Sequence, residues 1–289
     1  MRMRTERIVN EAIELDVLTT MGPRITGFAP TGGTSVFAVT PDLTLDTGDG
    51  RGFRLVGGHR LWAAPEIPAA TYIPDEEPPV IEELAGGLRF TQPPPPETGI
   101  EKSIEIRLPR DQPRAVITHR LTNLGPDAVI VAPWAITMLR TGGVAVLPFG
   151  RHPDDDFQAD RSIVLWPYTT LEDGLIRLSD THAEVIADRT EPAKIGTTLH
   201  RGWMAYILDD QVFVKRAAHL EYRAYADLGA SGQVYCRAEF CELETLGPLT
   251  ELAPSMSVTH RETWELHERS TLPDGISALA AELDARATA

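Results

Sequence analysis

Two carboxylates two residues apart mark the most chemically suggestive stretch of this chain. Glu242 and Glu244 lie in Phe240-Cys241-Glu242-Leu243-Glu244-Thr245-Leu246-Gly247-Pro248-Leu249, among residues (Val234, Tyr235, Phe240, Leu243) that read as a β-strand. Alternate side chains of a strand face one way, so the pair shares a face at a spacing of about 6.5–7 Å. Like charges that close resist ionising together, which raises at least one pKa toward the range useful for proton transfer. The second concentration of such residues is Gly57-Gly58-His59-Arg60-Leu61-Trp62-Ala63-Ala64-Pro65-Glu66. Paired glycines permit close backbone approach to a ligand. Arg60 and Glu66 suit sugar hydroxyls, Trp62 suits a pyranose face, and His59 can move protons. The polar loop that follows, with Tyr72 and Asp75, is placed to close over such a site.

Other candidates are more scattered. Val258, His260, Glu262, Trp264 and Leu266 alternate onto one strand face. Their His and Glu read either as a functional pair or as a hydrogen-bonded pair inside a sandwich. Lys194, His200, Trp203 and Lys215 are isolated polar or aromatic positions in the last third. The acidic run from His152 to Asp156 lacks the ligand spacing of a calcium loop and reads as a solvated turn.

The elements that must position these residues are strands. Ser103 to Leu108 alternates, with Ile104, Ile106 and Leu108 on one face. Ala115 to Leu121, Ala128 to Trp134, Val144 to Leu147, Gly202 to Leu208, Gln211 to Lys215 and Val234 to Leu243 are further strand-like runs. Thr31-Gly32-Gly33-Thr34, Asn123-Leu124-Gly125-Pro126-Asp127, Thr141-Gly142-Gly143 and Asp209-Asp210 punctuate them as turns. Many short strands with such turns predict an all-β sandwich or barrel of antiparallel sheets. Helical spacing occurs only at the end, where Asp274 precedes Ile276, Leu279 and Leu283 and predicts a terminal helix over about 274–287. Gln92-Pro93-Pro94-Pro95-Pro96 reads as a stiff loop between strands. With no internal repeat and no long linker, residues 1–289 are expected to form one domain.

Composition narrows the function. The chain of 289 residues is 42% hydrophobic, enough for a sizeable core. A net charge of -15 argues against nucleic acid or an anionic membrane as partner. No run approaches the ~18 apolar residues of a membrane span, and polar residues from Asn10 to Asp16 interrupt any signal-peptide core. Cys236 and Cys241, read in one strand, point to opposite faces roughly 16 Å apart. Reduced thiols predict a cytoplasmic location. There is no phosphate-binding glycine loop, dinucleotide fingerprint, His-Glu-x-x-His, Cys-x-x-Cys or Gly-x-Ser-x-Gly, so neither a cofactor nor a metal is expected.

A series of short segments in order resembles the galactose mutarotase-like (aldose 1-epimerase) superfamily, in particular an uncharacterised bacterial branch. These are Met21-Gly22-Pro23-Arg24-Ile25, Gly57 to Trp62 with Pro65-Glu66, Tyr72-Ile73-Pro74-Asp75, and His119-Arg120-Leu121-Thr122-Asn123. Ala132-Pro133-Trp134-Ala135, Leu165-Trp166-Pro167-Tyr168 and Glu242 to Pro248 complete the series. The resemblance implies a β-supersandwich with a sugar cleft on a concave face. It implies that Glu244, in Leu243-Glu244-Thr245, is the base that takes the proton of the anomeric hydroxyl. A histidine of those enzymes protonates the ring oxygen, opening the pyranose. Trp134 stands at that position here, leaving His59 as the best-placed acid by sequence context. His59 and Glu244 are then expected on opposite sides of one pocket, about 6–10 Å apart. Arg60, Trp62, Glu66, Tyr72, Asp75, Trp134, Lys215 and Glu242 are expected to bind the substrate.

The expected function is thus a sugar mutarotase or epimerase acting on a small-molecule carbohydrate. Two alternatives stand beside it. One is a carbohydrate-binding protein without turnover, motivated by Trp134, since an indole stacks on a sugar but does not protonate it. The other is a lyase or hydrolase of acidic sugars, with Arg60, Lys194 and Lys215 as anion contacts. Edge strands make self-association feasible without fixing an oligomeric state.

Overall fold

The structure, a computed structural model, describes residues 3–48, 50–110, 112–150, 157 and 159–287. Met1 and Arg2 and the acidic run from His152 to Asp156 lie outside the described residues. Alternation becomes strand throughout, and the strands assemble into two large antiparallel sheets. The site sheet runs Thr5–Val9, Ile13–Leu18, Arg24–Pro30, His59–Ala64, Val129–Leu139, Phe240–Leu246, Gly232–Arg237, Ala193–Thr197, Val164–Leu165. Thr250–Leu252 adds to it by pairing with Val129–Leu139. The backing sheet runs Ile176–Leu178, His182–Ile186, Val144–Pro148, Trp203–Leu208, Gln211–Ala217, Ser257–Glu268, Arg114–Asn123, Ile100–Arg107, Gly87–Gln92, Val80–Leu84. A two-stranded ribbon, Val39–Leu45 with Phe53–Gly57, leans over the outer side of the site sheet.

The period-two pattern decides what each face does. Between the sheets, Leu15, Phe28, Leu61 and Leu243 meet Ile106, Ile117, Phe213 and Trp264 in one apolar core. Phe28, Phe37, Phe213 and Trp264 pack there with ring centroids 5.5–6.0 Å apart. Each buried ring contributes on the order of 2–3 kcal/mol by its area alone. The helix Ile276–Ala287 covers the outer face of the backing sheet, burying Leu279 and Leu283 against Trp203, Val212 and Val214. That leaves the outer face of the site sheet as the open one. Pro93 to Pro96 lie in a loop between two strands, as expected, while Gln92 ends the strand before it. Among the described residues no helix is long and apolar enough to cross a membrane.

Two expectations are corrected. Val234 to Leu243 is not one strand but a hairpin, Gly232–Arg237 with Phe240–Leu246. Cys236 and Cys241 therefore face each other across it, Cα atoms 4.1 Å apart, joined as a disulfide in the core. The thiol-based ground for a reducing compartment goes with that. Secondly, Gly57 and Gly58 do not admit a ligand. Both hold positive φ (93° and 69°), and a Cβ at either would collide with the backbone carbonyl of Ala38 or Ile25. Their role is to bring the ribbon and the site sheet together.

Candidate functional site

Arg60, Trp62 and Ala64 point from the strand His59–Ala64 to the open face. Register then fixes their neighbours: Arg60 lies opposite Ile136, and Ile136 opposite Glu244. Trp62 lies opposite Trp134, while Tyr235 lies between Glu242 and Lys194. These side chains floor a cavity of about 500 Å³. Glu66, Tyr72, Trp166, Tyr168, Arg237 and Phe240 wall it. Trp62 meets Trp134 and Tyr72 edge to face at 5.4 and 5.3 Å. Aromatic walls around a few charged groups form a common lining for a small polar ligand.

Glu244 sits at the floor, 1% exposed. Its Oε2 accepts the Trp134 indole N–H at 2.7 Å and the Lys194 ammonium at 2.8 Å. Lys194 is clamped in turn by the rings of Trp134 and Trp166, at 4.8 and 4.7 Å. With both donors on Oε2, Oε1 has no partner among the described residues. The neighbouring Glu242 pairs with Arg60 at 2.9 Å. Burial nevertheless pushes its carboxyl above the ordinary range, and Glu244 adds to that push while Arg60 opposes it. Arg60 lies over the Trp62 ring at 4.2 Å, and its Nε and Nη1, like Trp62 Nε1, are buried without a hydrogen-bond partner among the described residues. Buried donors left unpaired are costly, so a ligand that accepts from them gains affinity. Tyr72 donates a short hydrogen bond to Glu66, and burial raises its hydroxyl pKa. Burial takes the Tyr235 phenol to about 12.

Of the residues expected at the site, Glu244, Glu242, Arg60, Trp62, Trp134, Glu66 and Tyr72 converge on this cavity. Three do not. Asp75 is tied to Arg24 at 2.8 Å, away from the cavity. His59 and Lys215 lie between the sheets. Adjacent strand residues face opposite ways, so a strand that turns Arg60 to the cavity turns His59 into the core. The expected His59–Glu244 pair across one pocket is therefore corrected: His59 is fully buried against His119, Thr137 and Trp264.

The core network around His59 closes on itself. His119 Nδ1 faces the His260 carbonyl at 3.1 Å, which assigns it the proton and leaves Nε2 as acceptor. His59 Nε2 then donates to it at 2.7 Å, and His59 Nδ1 accepts from the Thr137 hydroxyl at 2.9 Å. Lys215 donates to Thr137, to the carbonyls of Ala135 and Leu243, and pairs with Glu262 at 3.0 Å. Glu262 also accepts from Thr245 and from Trp264. His59, His119 and Glu262 are close enough to ligate an ion, but the two imidazoles already bond each other and the Lys215 ammonium already neutralises the carboxylate. The His and Glu of the last strand are accordingly a satisfied core pair, not a pocket pair.

Burial holds His59, His119 and His260 below the usual imidazole value, His260 at about 3. Unfolded, they titrate near 6.5. Below that value the unfolded chain binds more protons than the folded one, so stability falls as pH falls. Unfolding free energies from denaturant titrations should decline steadily from pH 7 to pH 5, by roughly 1–2 kcal/mol per histidine. A flat profile over that window would show that these rings are not held neutral.

Lys194, Trp166, Tyr168, Tyr235 and Arg237 line the cavity although none was assigned there from the sequence, Lys194 having been considered only as an anion contact. They come from the far side of the site sheet, where only register reveals which residues meet Glu242 and Glu244.

No protein-family model matches the chain, and no curated protein matches it in sequence. Solved structures do. A galactose mutarotase-like protein from Lactobacillus casei superposes with a TM-score of 0.59 at 11% identity, covering 91% of this chain and 100% of that one. A proposed aldose 1-epimerase from Escherichia coli K12 gives 0.55 at 13%, covering 92% and 100%. Another from Klebsiella pneumoniae gives 0.61 at 11%, covering 96% and 81%. At these identities the likeness is one of fold.

Proposed function

We propose that this protein binds a small carbohydrate on the open face of the site sheet and opens its ring by general acid–base catalysis, with Glu244 as base and Glu242 as acid. The carrying observation is the state of Glu244, whose Oε2 is fixed by Trp134 and Lys194 while Oε1 has no partner among the described residues. Oε1 takes the proton of the anomeric hydroxyl, and the bond from the anomeric carbon to the ring oxygen breaks. The ring oxygen receives a proton from Glu242, giving the open aldehyde. Rotation and the reverse transfers yield the other anomer. Two carboxylates one strand repeat apart, about 6.5–7 Å, bracket the two oxygens of an anomeric carbon. The unpaired donors of Arg60 and Trp62 supply hydrogen bonds for hydroxyls, and the aromatic walls supply stacking. The named activities of the solved structures agree with carbohydrate chemistry.

The pH profile tests the pairing. Glu242 acts in its protonated form, so kcat/KM for anomer exchange should fall as pH rises through its raised pKa. Polarimetry on a panel of aldoses should show that limb, and Glu242→Gln should remove it together with most of the rate. A wild-type rate unchanged by that substitution would eliminate Glu242 as the acid.

A second reading rests on one observation: no histidine lines the cavity among the described residues. Carbohydrate binding without turnover then follows. Calorimetry giving saturable sugar binding, weakened by Arg60→Ala, alongside undetectable anomer exchange would select it.

A further inference from the structure

Away from the cavity, two loops of the site sheet's far side bring His200, His219 and Glu221 together. Each offers one ligand atom, and the three atoms lie within 4.8 Å of one another. We propose that these three residues form a site for a divalent transition ion of the zinc type, clipping the turn at 198–202 to the long connection at 218–231.

The donor set is suitable. Two imidazoles and a carboxylate are a recurrent zinc combination, leaving a fourth position for water. At bond lengths of about 2.0–2.2 Å, tetrahedral ligand atoms stand about 3.3–3.6 Å apart, so ligand atoms within 4.8 Å of one another draw in by at most about 1.5 Å. His200 Nδ1 already lies 2.9 Å from a Glu221 oxygen, and the two imidazole centroids are 4.7 Å apart at 71°. An ion would replace the proton that the first pair shares.

The rings are also held in place by their surroundings. His219 Nδ1 lies 3.0 Å from Ser231 Oγ, and that oxygen also accepts the Leu199 N–H at 3.0 Å. With Nδ1–H donating to Ser231, the Nε2 lone pair of His219 is available, the outer-sphere arrangement common to metal-bound histidines. The His219 ring stacks on Tyr225 at 4.7 Å and 24°. Tyr225 is itself anchored by accepting the Leu220 N–H at 2.8 Å and by its place in the apolar cluster under the cavity. Gly150 lies close against His200, where a Cβ would strike the ring. The core cluster of His59, His119 and Glu262 differs in that its carboxylate is already neutralised by the buried Lys215 ammonium.

Untagged protein, stripped with a chelator and titrated calorimetrically with zinc chloride at pH 7.5, tests the proposal independently of any sugar chemistry. One site of micromolar or tighter affinity is expected, with binding weakening as pH falls because protons compete for the ligand atoms. Magnesium and calcium should not compete, since hard cations prefer oxygen ligands. His219→Ala and Glu221→Gln should each weaken zinc binding at least tenfold, and Ser231→Ala roughly tenfold through loss of ring orientation. Zinc should also raise Tm of the wild type and not of His219→Ala. Glu221 is exposed, so Glu221→Gln keeps the test valid should a histidine variant fold poorly. Zinc affinity weaker than micromolar in the wild type, or wild-type affinity in both His219→Ala and Glu221→Gln, would overturn the assignment.

Discussion

Lys215→Met is expected to destabilise the protein by about 3–5 kcal/mol, because it strands a carboxylate in the core. Both members of the Lys215–Glu262 pair are 0% exposed and lie 3.0 Å apart between the sheets. Methionine fills similar space without a charge, leaving Glu262 with only the neutral donors of Thr245 and Trp264. Lys215 also satisfies the carbonyls of Ala135 and Leu243, which would lose their donor. Against a total stability of about 5–15 kcal/mol the loss is large. The double variant Lys215→Met, Glu262→Gln removes both charges and should recover at least half of it. Urea titrations of the four proteins give this cycle directly. A single variant within about 1 kcal/mol of wild type would mean the pair is not buried as described.

Glu244→Gln should lower anomer exchange by roughly 100- to 10,000-fold, the range of a well-placed proton acceptor. The amide is nearly isosteric and its oxygen can still accept from Trp134, so the shape of the floor is retained. What it loses is the basic Oε1 and the ion pair with Lys194. The effect belongs in kcat more than in KM, since sugar contacts from Arg60, Trp62 and the aromatic walls are untouched. A parallel rise in KM with unchanged kcat would assign Glu244 to binding and not to proton transfer.

The sandwich was legible because one face of nearly every strand is apolar, as in Ile104, Ile106 and Leu108, and because glycine and Asx turns separate the runs. Much of the site was legible too, since Glu242 with Glu244, and Arg60 with Trp62, are two-residue repeats. The same rule excludes His59, one residue from Arg60, once His59–Ala64 is recognised as a strand. The glycines, which looked like a ligand signature, serve a backbone-to-backbone approach instead. The hairpin turn between Cys236 and Cys241 carries Ala238 and Glu239, neither a turn signal, so two strands read as one. Lys194 meets Glu244 only through the pairing of three strands, and pairing is not written in local pattern.

Saturation-transfer NMR between the α and β anomeric signals of a panel of aldoses, with wild type and Glu244→Gln side by side, bears on the proposed function without intermediaries. Wild type should accelerate exchange for at least one sugar, while Glu244→Gln binds that sugar with similar affinity and leaves exchange at the rate in buffer. Sugar bound by wild type with no faster exchange, or full acceleration by Glu244→Gln, would contradict acid–base ring opening at this cavity.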